Sequence, residues 1–220
     1  MMDRVVIVFL RAPEKGRVKT RLSKLLNDTF VLELYKAFVE DTLDTLDTVG
    51  DKALCFWPPG GKKSLQKWLG KNYDFLVQRG DDIGQKMSAA FADIFKKGYT
   101  YAVLIGTDIP ELSENMITLA FQTLQTTDAV IGPSGDGGYY LIGFKKSGFS
   151  NSIFKGINWS TPRVFDQTLE ALDMDSIQYS RLPQLNDIDM PEDLDALVRR
   201  MKSGGKIGRR TLKLLTSYEN

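Results

Sequence analysis

The stretch Val5-Val6-Ile7-Val8-Phe9-Leu10 decides the fold, because it is a continuous apolar run rich in β-branched residues. Such a run predicts a strand that is covered on both faces. A second run, Tyr101–Ile105, has the same character, and the stretches of helical period between the two are long enough for crossover connections. The chain is therefore predicted to form a three-layer α/β/α domain with a mostly parallel central sheet.

The same two kinds of pattern predict the other elements. Helices are expected at Asp28–Thr48, around Met87–Phe95 and at Met116–Leu124, and strands at Ala53–Trp57, Phe75–Gln78, Ala129–Ile131 and Tyr139–Phe144. The chain has 220 residues and no visible linker or repeat, so a single domain over 1–220 is expected. The basic stretch 199–220, set off by the Gly204-Gly205 pair, is expected to be a helical extension packed at the edge and outside the site.

The composition excludes several classes of function. Hydrophobic residues make up 42% of the chain and charged residues 26%, which is typical of a soluble globular protein. Lys and Arg number 29 against 28 Asp and Glu, so the net charge of +1 favours neither nucleic acid nor an anionic membrane as a partner. No apolar run near the start is long enough for a signal peptide or a membrane span, and a cytoplasmic location is expected.

The chain contains no histidine and a single cysteine. These counts exclude Ser-His-Asp and Cys-His catalysis, His-ligated zinc or iron sites and an intramolecular disulfide. Carboxylate, lysine, arginine and hydroxyl chemistry remain.

A basic segment follows the first predicted strand. Six basic residues and one acidic residue lie between Arg11 and Lys24. The segment comes at the carboxyl end of a strand, where ligands of open α/β folds bind, and leads into a helix whose free N–H groups favour an anion. Arg17, Lys19 and Arg21 alternate by two, so their side chains share one side if the segment is extended. A phosphate site is predicted here.

Carboxylates follow later elements. Asp108 comes directly after the strand Tyr101–Ile105, and Asp187 and Asp189 precede a predicted helix some eighty residues further on. Asp108 and Asp189 are also well placed to cap helices or form turns. If the fold brings these carboxylates together beside a phosphate site, they suit a hard cation such as Mg²⁺ or Mn²⁺.

Five segments occur in an order that resembles a known family: Phe9–Leu22, Gln78–Met87, Leu104–Leu112, Gly132–Gly143 and Asn186–Leu194. Together they resemble a small bacterial family of glycosyltransferase-like proteins with the GT-A fold, a family of unknown function within the nucleotide-diphospho-sugar transferase superfamily. The resemblance extends over residues 4–198. More distantly, the chain is similar to nucleotidyltransferases that activate phospholactate or molybdopterin.

The resemblance implies roles for individual residues. The residues expected to bind the nucleotide and its phosphates are Arg11, Arg17, Lys19, Arg21, Gln78, Gly80 and Thr107. The residues expected to bind a metal are Asp108 and either Asp187 or Asp189. Gly137 and Gly138 are expected to line the acceptor side of the site. The expected catalytic residues are Lys19, Asp108 and Asp136.

The implied function is a metal-dependent transferase that uses a nucleotide-activated donor. Glycosyl transfer from a nucleotide diphospho-sugar is the first expectation, and a nucleotidyltransferase that releases pyrophosphate is the alternative. A second alternative is a non-catalytic module that binds a nucleotide or a sugar. The expected partner in each case is a small molecule.

Overall fold

Strands and helices alternate along residues 3–218, the part of the chain that the computed structural model describes. The strands are β1 (Arg4–Arg11), β2 (Asp51–Trp57), β3 (Asp74–Val77), β4 (Tyr101–Ile105), β5 (Ala129–Pro133), β6 (Tyr139–Lys145) and β7 (Tyr179–Arg181). The helices are α1 (Asp28–Thr45), α2 (Lys62–Leu69), α3 (Ile83–Lys96), α4 (Glu114–Thr123), α5 (Val164–Met174), α6 (Pro191–Lys202) and α7 (Arg209–Tyr218). The expected strands and helices are all present; β4 has the predicted ends, and the ends of the others are shifted.

The seven strands form one sheet in the order β3-β2-β1-β4-β6-β5-β7. The neighbouring pairs β1–β2, β1–β4, β2–β3 and β5–β7 are parallel, and β6 runs antiparallel to both β4 and β5. The predicted mostly parallel sheet is therefore confirmed. The chain runs outward from β1 to β3 and then returns to β4 on the other side of β1, which creates a crevice at the carboxyl ends of β1 and β4.

Helices cover both faces of the sheet, because alternate residues of each strand point to opposite faces. Val6 and Val8 of β1 pack in one apolar cluster with residues of α1, α2 and α4. Val5 and Ile7 pack in a second cluster with residues of α3 and α5. These two clusters are the core of the predicted three-layer arrangement.

Helices α6 and α7 add a further apolar cluster on the outer side of α1. Leu34 and Phe38 of α1 pack there with Leu197 of α6 and Leu215 of α7. Residues 199–202 are the last turn of α6, and α7 starts at Arg209, so the basic stretch 199–220 spans the end of one helix and a second one. Glu219 and Asn220 lie outside the described residues.

A buried carboxylate of α1 caps α7. Asp41 is 5% exposed and accepts hydrogen bonds from the backbone N–H groups of Arg210 (3.0 Å) and Thr211 (2.8 Å). These are two of the first N–H groups of α7, which have no partner within the helix. The start of α7 is thereby fixed on α1.

Candidate functional site

Two cavities lie side by side at the crevice where β1 and β4 end. The first has a volume of about 470 Å³ and is called the basic chamber; its lining includes Arg11, Lys19, Arg21, Trp57 and Lys86. The second has a volume of about 460 Å³ and is called the acidic chamber; its lining includes Arg21, Asp108, Asp136, Asp187 and Asp189. Five residues line both cavities, so the two chambers meet there: the charged residues Arg21, Asp108 and Asp189, together with Ile83 and Gly106.

The loop between β1 and α1 turns Lys19 into the protein. The loop is not extended, because Gly16 and Lys19 have φ angles of 71° and 47°, in the left-handed region. Val18 and Leu22, on either side of Lys19, are buried and fix the loop to the core. The Lys19 side chain is only 4% exposed as a result.

Three oxygen atoms surround the Lys19 ammonium. Its Nζ lies 2.9 Å from Asp108 Oδ2, 2.8 Å from Asp189 Oδ1 and 2.6 Å from the carbonyl oxygen of Ile188. An ammonium has three N–H donors, so each of them has a partner within the protein. Burial opposes the charge on Lys19, but Asp108 and Asp189 outweigh it and raise the pKa of the ammonium.

The fold brings Asp108 and Asp189 together across about eighty residues of chain. The two carboxylates contact the same ammonium, and the N–H of Ile188 donates to the carbonyl oxygen of Asp108 at 2.9 Å. The cation that lies between them is Lys19. The expected proximity of these two carboxylates is therefore present in the structure, with a side chain of the protein itself as the bridge.

Neither carboxylate caps a helix. Ser113 is the N-cap of α4, and its side chain accepts a hydrogen bond from a backbone N–H of the first turn. The N-cap position of α6 is Met190, where Asp193 accepts from the N–H groups of Asp189 (3.0 Å) and Met190 (2.7 Å). The capping interpretation of Asp108 and Asp189 is thus wrong, because other residues occupy the capping positions.

The two arginines beside Lys19 differ in their positions. The side chain of Arg17 is 75% exposed, lies 3.3 Å from Glu14 and does not line either chamber. The side chain of Arg21 is 64% exposed and lies 3.5 Å from Asp189 Oδ2, where the chambers meet. The turn in the loop therefore removes Arg17 from the site, whereas Lys19 and Arg21 both remain there and contact the same carboxylate, that of Asp189.

Gln78 and Thr107 line the basic chamber, and both are buried. Gln78 Nε2 donates to the carbonyl oxygen of Cys55 at 3.0 Å. Gly80 is not among the lining residues; a Cβ atom there would lie 2.5 Å from Cβ of Gln85 in the first turn of α3. We interpret Gly80 as a structural glycine that allows the chain to enter α3.

Tyr35 of α1 ties down the end of β1. Its hydroxyl donates to the carbonyl oxygen of Arg11 at 2.8 Å and accepts from the N–H of the same residue at 2.7 Å. Burial raises the pKa of Tyr35. The tyrosine therefore stays neutral and holds the rim of the basic chamber in place.

A tight turn places Asp136 in the acidic chamber. Its carboxylate accepts hydrogen bonds from Ser134 Oγ and from the N–H of Gly138 (2.9 Å). Gly137 has a φ angle of 86°, and a Cβ atom there would lie 2.2 Å from the carbonyl oxygen of Pro162. Gly137 thus lets the turn pack against the segment before α5, and Gly138 lines the acidic chamber.

Negative charge is concentrated in the acidic chamber. Burial and the nearby carboxylates of Asp136 and Asp189 raise the pKa of Asp187 to about 6. Arg21 is the one basic residue among the described residues that line the chamber. Within residues 3–218, no three acidic or cysteine side chains converge in the way a complete metal cage requires.

Trp57, Lys86 and Trp159 line the chambers but were not among the predicted site residues. The Lys86 ammonium lies 4.5 Å from the centre of the Trp57 ring, within the range of a cation–π interaction. Trp57 is the last residue of the parallel strand β2. Ligands of parallel sheets bind at the carboxyl ends of strands, so its position in the sequence could have indicated a site residue, as the position of Asp108 did. Trp159 packs against Gly84 of α3 and carries no comparable signal in the sequence.

None of the helices in residues 3–218 combines the length and the apolar character that crossing a bilayer requires.

Comparisons with known proteins agree with this fold. Residues 42–161, more than half of the chain, match the family described as "Uncharacterized protein conserved in bacteria (DUF2064)". The crystal structure of a "putative nucleotide-diphospho-sugar transferase" from Desulfovibrio desulfuricans G20 is 35% identical to this chain. The similarity covers 100% of this chain and 96% of the other, with a TM-score of 0.94. No functionally curated protein matches the sequence.

Two more distant structures share the fold alone. CMP:2-keto-3-deoxy-manno-octonic acid synthetase in complex with CTP is 10% identical, with a TM-score of 0.54 over 92% of this chain and 99% of the other. Rv0371c from Mycobacterium tuberculosis H37Rv in complex with manganese is 14% identical, with a TM-score of 0.55 over 90% of this chain and 98% of the other.

The fold is therefore that of the nucleotide-diphospho-sugar transferases, and the resemblance found in the sequence is confirmed. The matched segment and the full-length similarity at 35% identity together show that this chain belongs to the bacterial DUF2064 family.

Proposed function

We propose that this protein is a transferase that takes the glycosyl group of a nucleotide diphospho-sugar and passes it to an acceptor hydroxyl. The observation that carries the proposal is the pair of adjoining chambers with opposite charge. A basic chamber suits the diphosphate of the donor, and an acidic chamber beside it suits an acceptor that carries no phosphate. Asp108, Asp189 and Arg21 stand at the junction, where the transferred group would lie.

The basic chamber has the size and composition of a nucleotide site. Its volume of about 470 Å³ falls in the range typical of small-molecule pockets. Arg11, Arg21 and Lys86 supply positive charge, and the Trp57 ring supplies an apolar surface for the nucleoside. Lys19 has all three donors engaged, so we assign it the role of positioning Asp108 and Asp189 rather than direct phosphate binding in this state.

Transfer requires one bond to form and another to break. The acceptor oxygen bonds to the anomeric carbon, the bond from that carbon to the diphosphate breaks, and the hydroxyl proton passes to a carboxylate. Asp136 lines the acidic chamber and is our candidate for the proton acceptor. Negative charge grows on the departing diphosphate, and Arg21 is placed to stabilise it.

The carboxylates at the junction fit a divalent cation. Their oxygen atoms are hard ligands, and Asp108 and Asp189 both contact one positive group, the Lys19 ammonium. Mg²⁺ or Mn²⁺ would be held there by Asp108 and Asp189, with Asp187 nearby. When bound, such an ion supplies charge neutralisation to the diphosphate. The manganese complex of Rv0371c, which has the same fold, supports this assignment.

Nucleotidyl transfer is the second candidate, favoured by the similar fold of a synthetase that binds CTP. In that reaction a phosphorylated acceptor attacks the α-phosphorus and pyrophosphate leaves. The four aspartates of the acidic chamber repel such an anionic acceptor unless a cation intervenes. Glycosyl transfer is therefore the first candidate.

A binding experiment tests the proposal. Nucleoside diphosphates and nucleotide sugars, each with and without Mn²⁺, are titrated into the protein by calorimetry. The variants are Arg21→Gln and, as a control, Lys24→Gln, which is exposed and outside both chambers. We expect one nucleotide class to bind and Arg21→Gln to weaken it by about tenfold, which corresponds to ~1.4 kcal/mol. The proposal fails if no nucleotide binds, or if both variants bind as the parent does.

A further inference from the structure

The space between Asp108 and Asp189 is filled by an internal cation. Lys19 Nζ contacts an oxygen of each carboxylate at 2.9 and 2.8 Å, and a backbone carbonyl at 2.6 Å completes its surroundings. Three oxygen ligands around one positive centre are the kind of environment in which a hard metal ion also binds. An ion held at the position of the ammonium would need the same two carboxylate oxygens, Asp108 Oδ2 and Asp189 Oδ1.

We propose that Lys19 and a divalent cation exclude one another between Asp108 and Asp189, so that the cation enters only when the lysine leaves. A divalent cation and the ammonium cannot both occupy the position between Asp108 Oδ2 and Asp189 Oδ1, because three positive charges would then lie within a few ångströms of one another. Arg21 is compatible with Lys19 because it contacts the other oxygen of Asp189, Oδ2, at 3.5 Å. Lys19 is therefore a positioning residue that keeps the carboxylates together until the cation replaces it.

The basic chamber is an alternative position for the Lys19 ammonium. Lys19 lines this chamber, and an anionic ligand bound there would attract the ammonium. A diphosphate in the basic chamber and a divalent cation at the junction would then favour each other's binding, because each is compatible with the same displaced position of Lys19. This consequence rests on the proposed function, whereas the exclusion itself involves only the protein and the cation.

The direct test is the binding of Mn²⁺ alone, with no nucleotide present. Free Mn²⁺ is followed by electron paramagnetic resonance in titrations of the parent and of Lys19→Met, which removes the competing charge and keeps much of the side-chain volume. If the lysine-displaced state makes up a tenth or less of the parent, the variant binds Mn²⁺ at least about tenfold more tightly.

Two controls make the result specific. Lys24→Met removes an exposed lysine outside both chambers, and its Mn²⁺ affinity should equal that of the parent. The double variant Lys19→Met/Asp108→Asn should lose the gain, because a carboxylate of the cation site is missing.

Circular dichroism first establishes that the Lys19 variant is folded. If Lys19→Met does not fold, Lys19→Gln replaces it, since the amide keeps a hydrogen-bond donor without the charge. A folded Lys19 variant with Mn²⁺ affinity equal to or weaker than that of the parent overturns the proposal, as does a gain that survives Asp108→Asn. Nucleotide binding is measured separately, so failure here leaves the proposed transferase function standing.

Discussion

Replacing Lys19 by Met should destabilise the protein, because it leaves Asp108 and Asp189 side by side without their counter-ion. Removing one partner of a fully buried ion pair costs about 3–5 kcal/mol. Here the lysine is 4% exposed, but the carboxylates are 39% and 40% exposed and regain part of their hydration. We therefore expect a loss of about 2 kcal/mol, or about 4–8 °C in Tm for a domain of this size.

The assay is urea and thermal denaturation of the parent, Lys19→Met and the exposed control Lys24→Met. The pKa of Lys19 is raised in the folded state above its unfolded value of about 10.5. The contribution of the charged lysine to the free energy of unfolding is therefore fully present below pH 10.5, and it is lost only as the pH rises through the higher pKa of the folded state. The part of the stability difference that comes from the charge of Lys19 should therefore not fall as the pH rises from about 7 to 9, above the pKa of Asp187. A Tm loss no larger than that of the control would refute the reasoning and indicate a solvated lysine.

Three further changes have defined outcomes. The pKa of Asp187 is raised from 3.8 to about 6 in the folded state. The protonated carboxyl therefore adds to the free energy of unfolding below about pH 4, and this contribution is lost as the pH rises through 6. Asp187→Asn should then exceed the parent in stability at pH 7 by about 1 kcal/mol after allowance for solvent exposure, and match it at pH 4, in urea denaturation. Gly137→Ala should cost at least about 3 kcal/mol by thermal denaturation, because its Cβ meets a carbonyl oxygen, whereas Gly156→Ala, with a φ of 73° and open space, should cost about 1 kcal/mol. Asp41→Ala should cost about 1–2 kcal/mol and speed amide exchange at the start of α7, measured by mass spectrometry, because two N–H groups lose their acceptor.

The sheet was predictable where strands are buried on both faces. The runs Val5–Leu10 and Tyr101–Ile105 are continuous and apolar, and the structure extends the first by one residue at each end and leaves the second unchanged. Three elements were not predicted, because their apolar patterns are weak. Helix α2 buries only Leu65, helix α5 lies in a stretch rich in acidic residues, and strand β7 has only three residues.

The site was predictable in position and less so in detail. Ligands of parallel sheets bind at strand ends, so Asp108 and the basic loop could be placed at one crevice from the sequence. The inward direction of Lys19 depends on a left-handed turn and on the burial of Val18, which residue spacing does not reveal. The contact of Lys19 with Asp189 joins residues 170 positions apart, and only the folded chain shows it.

The identity of the released product tests the central claim most directly. The protein is incubated with Mn²⁺, the nucleotide sugar that binds most tightly and a panel of hydroxyl acceptors, and nucleoside diphosphate and pyrophosphate are quantified separately. A parallel reaction supplies nucleoside triphosphates with phosphorylated acceptors. We predict nucleoside diphosphate release that depends on the acceptor and is lost in Asp108→Asn. Pyrophosphate release in the parallel reaction, with no acceptor-dependent diphosphate release in the first, would contradict glycosyl transfer and establish nucleotidyl transfer in its place.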